Sequence, residues 1–98
     1  ENDNMCFGVM QALDELGIAY GDGGVTLISF DAGRTALSYC KDGKIDLCAE
    51  CNPLHGPRVR ALIEQLARGE TPEKLSYMPE ALFTADTLTA ELLESRVY

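Results

Sequence analysis

Basic charge is scarce in this 98-residue chain. Lys and Arg together number 8 against 16 Asp and Glu, so the formal net charge is −8. Phosphate recognition needs a basic patch, and this deficit excludes nucleic acid as a partner. It equally excludes an electrostatic hold on an acidic membrane surface. No apolar run approaches the ~20 residues of a membrane span. The opening residues, Glu1-Asn2-Asp3-Asn4, lack the basic stretch that begins a secretion signal. The single histidine, His55, rules out most His-based catalytic arrangements unless it serves alone. No serine sits in a G-x-S-x-G turn. Four cysteines are too few for a disulfide-rich miniprotein. Internal repeats and low-complexity stretches are absent as well.

What remains is an ordinary globular balance, 46 % apolar and 24 % charged residues, enough for one domain with a modest core. Cys6 and Cys40 fall inside helical apolar patterns and are expected in that core. Cys48 and Cys51 form a C-x-x-C at the end of an extended run, and three strand steps cover about 10 Å, too far for a disulfide. Cys40, Cys48, Cys51 and His55 could in principle ligate zinc. Their split between a helix and a strand argues against convergence, so free thiols and no metal or other cofactor are expected.

Hydrophobic periodicity alternates between helix and strand. Met5, Cys6, Val9, Met10, Leu13 and Leu16 recur at three- and four-residue spacing and predict a helix over 3–16. Asn2 or Asp3 caps it and Gly17 stops it. Gly21-Asp22-Gly23-Gly24 is a turn that precedes a strand, so it is no phosphate loop. Val25–Phe30 reads as a buried parallel strand, Arg34–Lys41 as a short helix and Ile45–Glu50 as the next strand. Asn52-Pro53 opens a longer helix through Arg68, with Val59, Leu62, Ile63, Leu66 and Ala67 facing inward. Lys74–Met78 and Ala81–Thr84 are short extended segments, and 87–94 a final helical turn or two. The order predicts an α/β fold: three-layer, with a partial doubly wound parallel sheet and right-handed crossovers. Two strands are too few for such a sheet, and an α/β unit should supply a strand before the first helix. The chain therefore reads as part of something larger.

Most carboxylates, Asp14, Glu15, Glu64, Glu91 and Glu94, fall on polar helix faces. Asp31 differs, because it follows a strand directly and precedes Gly33 and a helix. Ligands of doubly wound sheets bind outside the carboxyl ends of the strands. Asn2-Asp3, Asp31 and Cys51-Asn52 all occupy that level, where the alternative role for Asn and Asp is helix capping.

These residues resemble a known family. Asn2-Asp3-Asn4-Met5 with Gly8, Ala12 and Leu13 resembles the N-D-x-M-A-x-G-x-x-x-A-L helix opening of type I periplasmic sugar-binding proteins. Ile28-Ser29-Phe30-Asp31-Ala32 is similar to their V-G-F-D-G strand end. Lys41-Asp42-Gly43, then Glu50-Cys51-Asn52-Pro53-Leu54 and Gly56, resembles their K-D-G and Q-N-P segment. Tyr77-Met78-Pro79 and Leu82-Phe83-Thr84 are similar to the closing Y-x-P and L-V-T segments.

The resemblance implies the C-terminal lobe of a solute receptor for an ABC importer, with 1–69 in the ligand-binding lobe and 70–98 as the closing, crossing segment. It implies that Asn2 and Asp31 hydrogen-bond sugar hydroxyls, that Phe30 packs on the sugar ring, and that Cys51 stands where Gln is usual. A thiol is a weak donor and acceptor, so Cys51 points to an uncommon ligand or to compensation by Asn52 or water. It further implies a membrane permease as partner of the intact protein and a periplasmic location, or a membrane-tethered extracellular one in a Gram-positive source. The chain alone is expected to bind sugar weakly or not at all. Its exposed sheet edge favours self-association. Two other readings share some residues. The effector lobe of a lac-repressor-type regulator carries the same N-D and F-D motifs, but the P-x-L-T-T-V run of that group is missing. An enzyme or metal module would use Cys40, Cys48, Cys51 and His55.

Overall fold

The first helix is stopped by its own termini. The computed structural model describes residues 2–98, and in it α1 spans Asp3–Leu16. Asn2 Oδ1 accepts from the Met5 amide at 3.0 Å, and Gly17 closes the other end at φ 67°, where a side chain would be strained. Then follow β1 (Ile28–Asp31), α2 (Arg34–Lys41), β2 (Leu47–Glu50), α3 (Gly56–Ala67), β3 (Leu82–Phe83), a 3₁₀ turn (Ala85–Thr87) and α4 (Ala90–Ser95).

The sheet order is β1-β2-β3. β1 and β2 are parallel, with Ile28 opposite Leu47 and Asp31 opposite Glu50. β3 returns antiparallel, setting Phe83 opposite Cys48. One further rung, Asn2 beside Phe30, is also parallel and lies on the free edge of β1. α1 packs on β1 and α2 on β2, which brings Cys6, Met10, Leu27, Leu37, Cys40, Ile45, Cys48 and Phe83 into one core. This is an α/β sheet with a parallel β1–β2 pair, and α1 and α2 both lie on one face of it, so the second helical layer of the expected three is not seen among the described residues.

Strand alternation sets the other face. Ser29, Cys48 and Phe83 are buried, whereas Ile28, Phe30 and Leu82 are exposed. The apolar run 25–30 is therefore half-buried rather than covered on both sides. Only 28–31 pair as a strand, because Val25 is drawn into a bridge with Tyr20 across the glycine turn. The second strand likewise starts at Leu47 and not at Ile45, whose amide bonds back to Tyr39 O.

Two further expectations are corrected. The long helix begins at Gly56, not at Asn52, because Asn52 Oδ1 accepts from the Leu54 amide and turns the chain first. Its apolar stripe buries nothing: Val59 is 49 % and Ile63 60 % exposed. The stripe of α1 is likewise only partly used, since Met5, Val9 and Leu16 face solvent. Lys74–Met78 forms no strand, and only Leu82 and Phe83 of the second extended segment pair. With α3 projecting, the long axis reaches 60 Å and the radius of gyration 17.5 Å. A compact chain of this size has a radius of about 13 Å.

Candidate ligand-binding site

Three backbone pairings meet at the carboxyl ends of β1 and β2. Asn2 lies beside Phe30, and Asp31 lies opposite Glu50. The Cys51 amide donates to Asp31 O at 3.3 Å. All four residues expected at the site (Asn2, Phe30, Asp31 and Cys51) are thus gathered at one end of the sheet, and all are exposed.

Their polar groups are largely uncommitted. Asn2 uses Oδ1 to cap α1, which leaves its amide nitrogen as a donor. Asp31 has no side-chain hydrogen-bond partner among the described residues, so it does not cap α2. Asp3 does that work instead. Its Oδ2 accepts from the Gly33 amide at 2.7 Å, and its Oδ1 accepts from the buried Ser29 hydroxyl. The N-D pair therefore divides into an outward Asn2 and an inward Asp3. The turn after β1 is sharp: Asp31 has φ 101° and Ala32 φ 57°. Ala32 stands where the family pattern has glycine, which adopts such angles freely.

Sequence reasoning missed three residues here. Glu50 is nearly buried, with Oε1 2.7 Å from Arg96 Nη1 and Oε2 accepting from the Ala81 amide at 3.0 Å. Tyr98 Oη donates to Glu50 Oε1 at 2.5 Å. Burial pushes the Glu50 carboxyl up, but the Tyr98 hydroxyl and the Arg96 guanidinium outweigh it and leave it below the ordinary range. Burial and the same carboxylate push the Tyr98 phenol up to about 12. No local pattern announces contacts that span 46 and 48 residues.

Three of the four cysteines belong to the core. All four are free; Cys6, Cys40 and Cys48 are buried and Cys51 is exposed. Burial raises the Cys48 thiol far above its usual value, and Cys6 and Cys40 also rise. Among the described residues no group of three or more His, Cys, Asp or Glu is placed to hold a metal ion. No described helix is long and apolar enough to cross a membrane.

No protein-family model matches the chain. Individual proteins do. It is 32 % identical over 74 residues to the fructose import binding protein of Bifidobacterium longum, covering 76 % of this chain and 22 % of that one. It is 33 % identical over 92 residues to the galactofuranose-binding protein of Escherichia coli, covering 93 % and 29 %. The chain is homologous to type I periplasmic sugar-binding proteins. The match is to their C-terminal part, and the fold agrees. The periplasmic binding protein component of the arabinose ABC transporter of Shewanella sp. ANA-3, bound to α- and β-L-arabinofuranose, superposes with a TM-score of 0.82 at 25 % identity. That alignment covers 100 % of this chain and 35 % of the other. The chain thus spans about a fifth to a third of the length of the relatives it matches. The relatives named here are binding proteins, not enzymes.

Proposed function

We propose that this chain forms one wall of a sugar-binding cleft in an extracytoplasmic receptor for ABC-type import. The observation that supports it best is the convergence of Asn2, Phe30, Asp31 and Cys51 at the strand ends. A carboxylate and an amide exchange hydrogen bonds with paired hydroxyls, and a half-exposed aromatic covers the C–H face of a ring. The proposed ligand is a sugar in its furanose form, following the galactofuranose and arabinofuranose of the relatives. Residues 1–69 supply the wall and 70–98 the closing segment. In the whole receptor, closure over the ligand signals to a membrane permease. The location is periplasmic, or tethered outside the membrane in a Gram-positive source. The chain alone binds weakly, in the millimolar range, and associates with itself through its open sheet edge.

The test is a chemical-shift titration of the 98-residue chain with L-arabinose, D-galactose and D-fructose. Shifts confined to Asn2, Phe30, Asp31 and Cys51, lost in Asp31→Asn, are expected. Shifts elsewhere, or none at millimolar sugar, would overturn the reading. Micromolar binding would overturn the claim that this wall is weak on its own.

A further inference from the structure

The C-terminal tail converges on the two loops that carry Asp31 and Cys51. Arg96 Nε donates to Ala32 O at 3.0 Å, and Nη1 donates to Glu50 Oε1 at 2.7 Å. Ala32 follows Asp31, and Glu50 precedes Cys51. One guanidinium therefore grips both loops, each at the neighbour of a proposed ligand group. It stacks 4.1 Å from the centroid of the Tyr98 ring and 5.3 Å from that of Phe83, and Tyr98 bonds the same carboxylate oxygen. Arg34 holds the tail in turn. Its Nη2 donates to Glu94 O at 3.1 Å, its Nε to Arg96 O at 3.0 Å, and its amide to Tyr98 O at 2.8 Å.

The loops need such a clamp. Asp31 and Ala32 both hold positive φ, a turn that persists only when surrounding contacts support it. The backbone bond between the loops, from the Cys51 amide to Asp31 O, is long at 3.3 Å. We infer that Arg96 is a positioning residue for the site: through Ala32 and Glu50 it fixes Asp31 against Cys51. Arg96 touches no ligand group. It acts by preorganisation, so that binding does not have to order both loops. The guanidinium suits this task because its planar fork holds two separate nitrogens, Nε toward a carbonyl and Nη1 toward a carboxylate, in a fixed geometry that the single nitrogen of an ammonium does not provide. The effect on affinity rests on the sugar reading above; the effect on the loops does not.

The experiment compares amide hydrogen exchange and the L-arabinose titration in the whole chain, its Arg96→Lys variant and its Tyr98→Phe variant. Arg96→Lys keeps the charge but loses the fork. It is expected to speed exchange of the Gly33 and Cys51 amides about tenfold, leave Leu37 and Cys48 unchanged, and weaken sugar binding about fivefold. Tyr98→Phe shifts the same amides less, and it decides the matter if Arg96→Lys does not fold. Uniform acceleration of all amides means a merely structural role and overturns the inference. So does unchanged loop exchange, or faster loop exchange with unchanged affinity. If the parent chain binds none of the sugars, the sugar reading fails, and loop-confined exchange alone upholds or overturns the clamp.

Discussion

Asp3 and Glu50 are two carboxylates that the chain takes largely out of water, and each has found partners of a different kind. Asp3 accepts from a hydroxyl and a backbone amide; Glu50 pairs with a guanidinium and a phenol. The Glu50 cluster has a pH signature. A carboxyl held below its ordinary value of 4.5 contributes stability that is present above that pH and is lost as pH falls through the folded value. A phenol raised from 10 to about 12 contributes stability that is present below pH 10 and is lost as pH rises toward 12. The stability of the chain by urea denaturation should therefore fall at both ends of the pH range. Glu50→Gln should flatten the acid limb and Tyr98→Phe the alkaline one. An acid limb unchanged in Glu50→Gln would show that the pair carries no such linkage.

Among the elements, the glycine turn before β1 and the middle of α1 make opposite demands on a methyl group. Gly21 has φ 73°, and a Cβ there would stand 2.1 Å from Gly43 O. Gly21→Ala should cost about 3 kcal/mol, combining left-handed strain with overpacking. Gly8 lies in α1 with nothing within 4 Å of a Cβ. Gly8→Ala should stabilise by about 0.5–1 kcal/mol, since alanine loses less backbone entropy in a helix. Thermal or urea denaturation of the two variants checks both signs. α1 and α2 were legible because each carries a local stop signal, and Leu37 and Cys40 do pack inward. α3 was legible in period but not in start or burial. The Asn52 side-chain turn delays it, and a stripe of Val59, Leu62 and Ile63 says only that a partner surface is wanted. Helices of this length are marginal without packing, so α3 should be the least protected of the three.

The whole molecule is a small core with uncovered apolar surface. The outer sheet face exposes Ile28, Phe30 and Leu82, and the free edge of β1 is bridged only at the Asn2 rung among the described residues. Open edges and apolar faces of this kind recruit other chains. Leu82 and Phe83 pair with β2 of the same chain, so the β1 edge is where association is expected. Sedimentation velocity should reveal dimers or larger species as concentration rises. Added salt should favour them, because it screens the repulsion of a chain at −8. A strict monomer at high concentration and high salt would remove the idea.

The sequence by itself determined the alternation of helices and strands, the strand ends as the place where Asn2, Phe30, Asp31 and Cys51 meet, and the family. Those features are written in local periodicity, in cap and turn residues, and in short motifs, each readable within a dozen residues. Only the tertiary structure decided which member of the N-D pair faces inward, which face of the sheet is covered, and that Arg96 and Tyr98 reach Glu50. Such contacts join residues far apart in the chain and depend on how α4 packs on α2 and brings the tail to the strand ends, a packing outcome with no local signal.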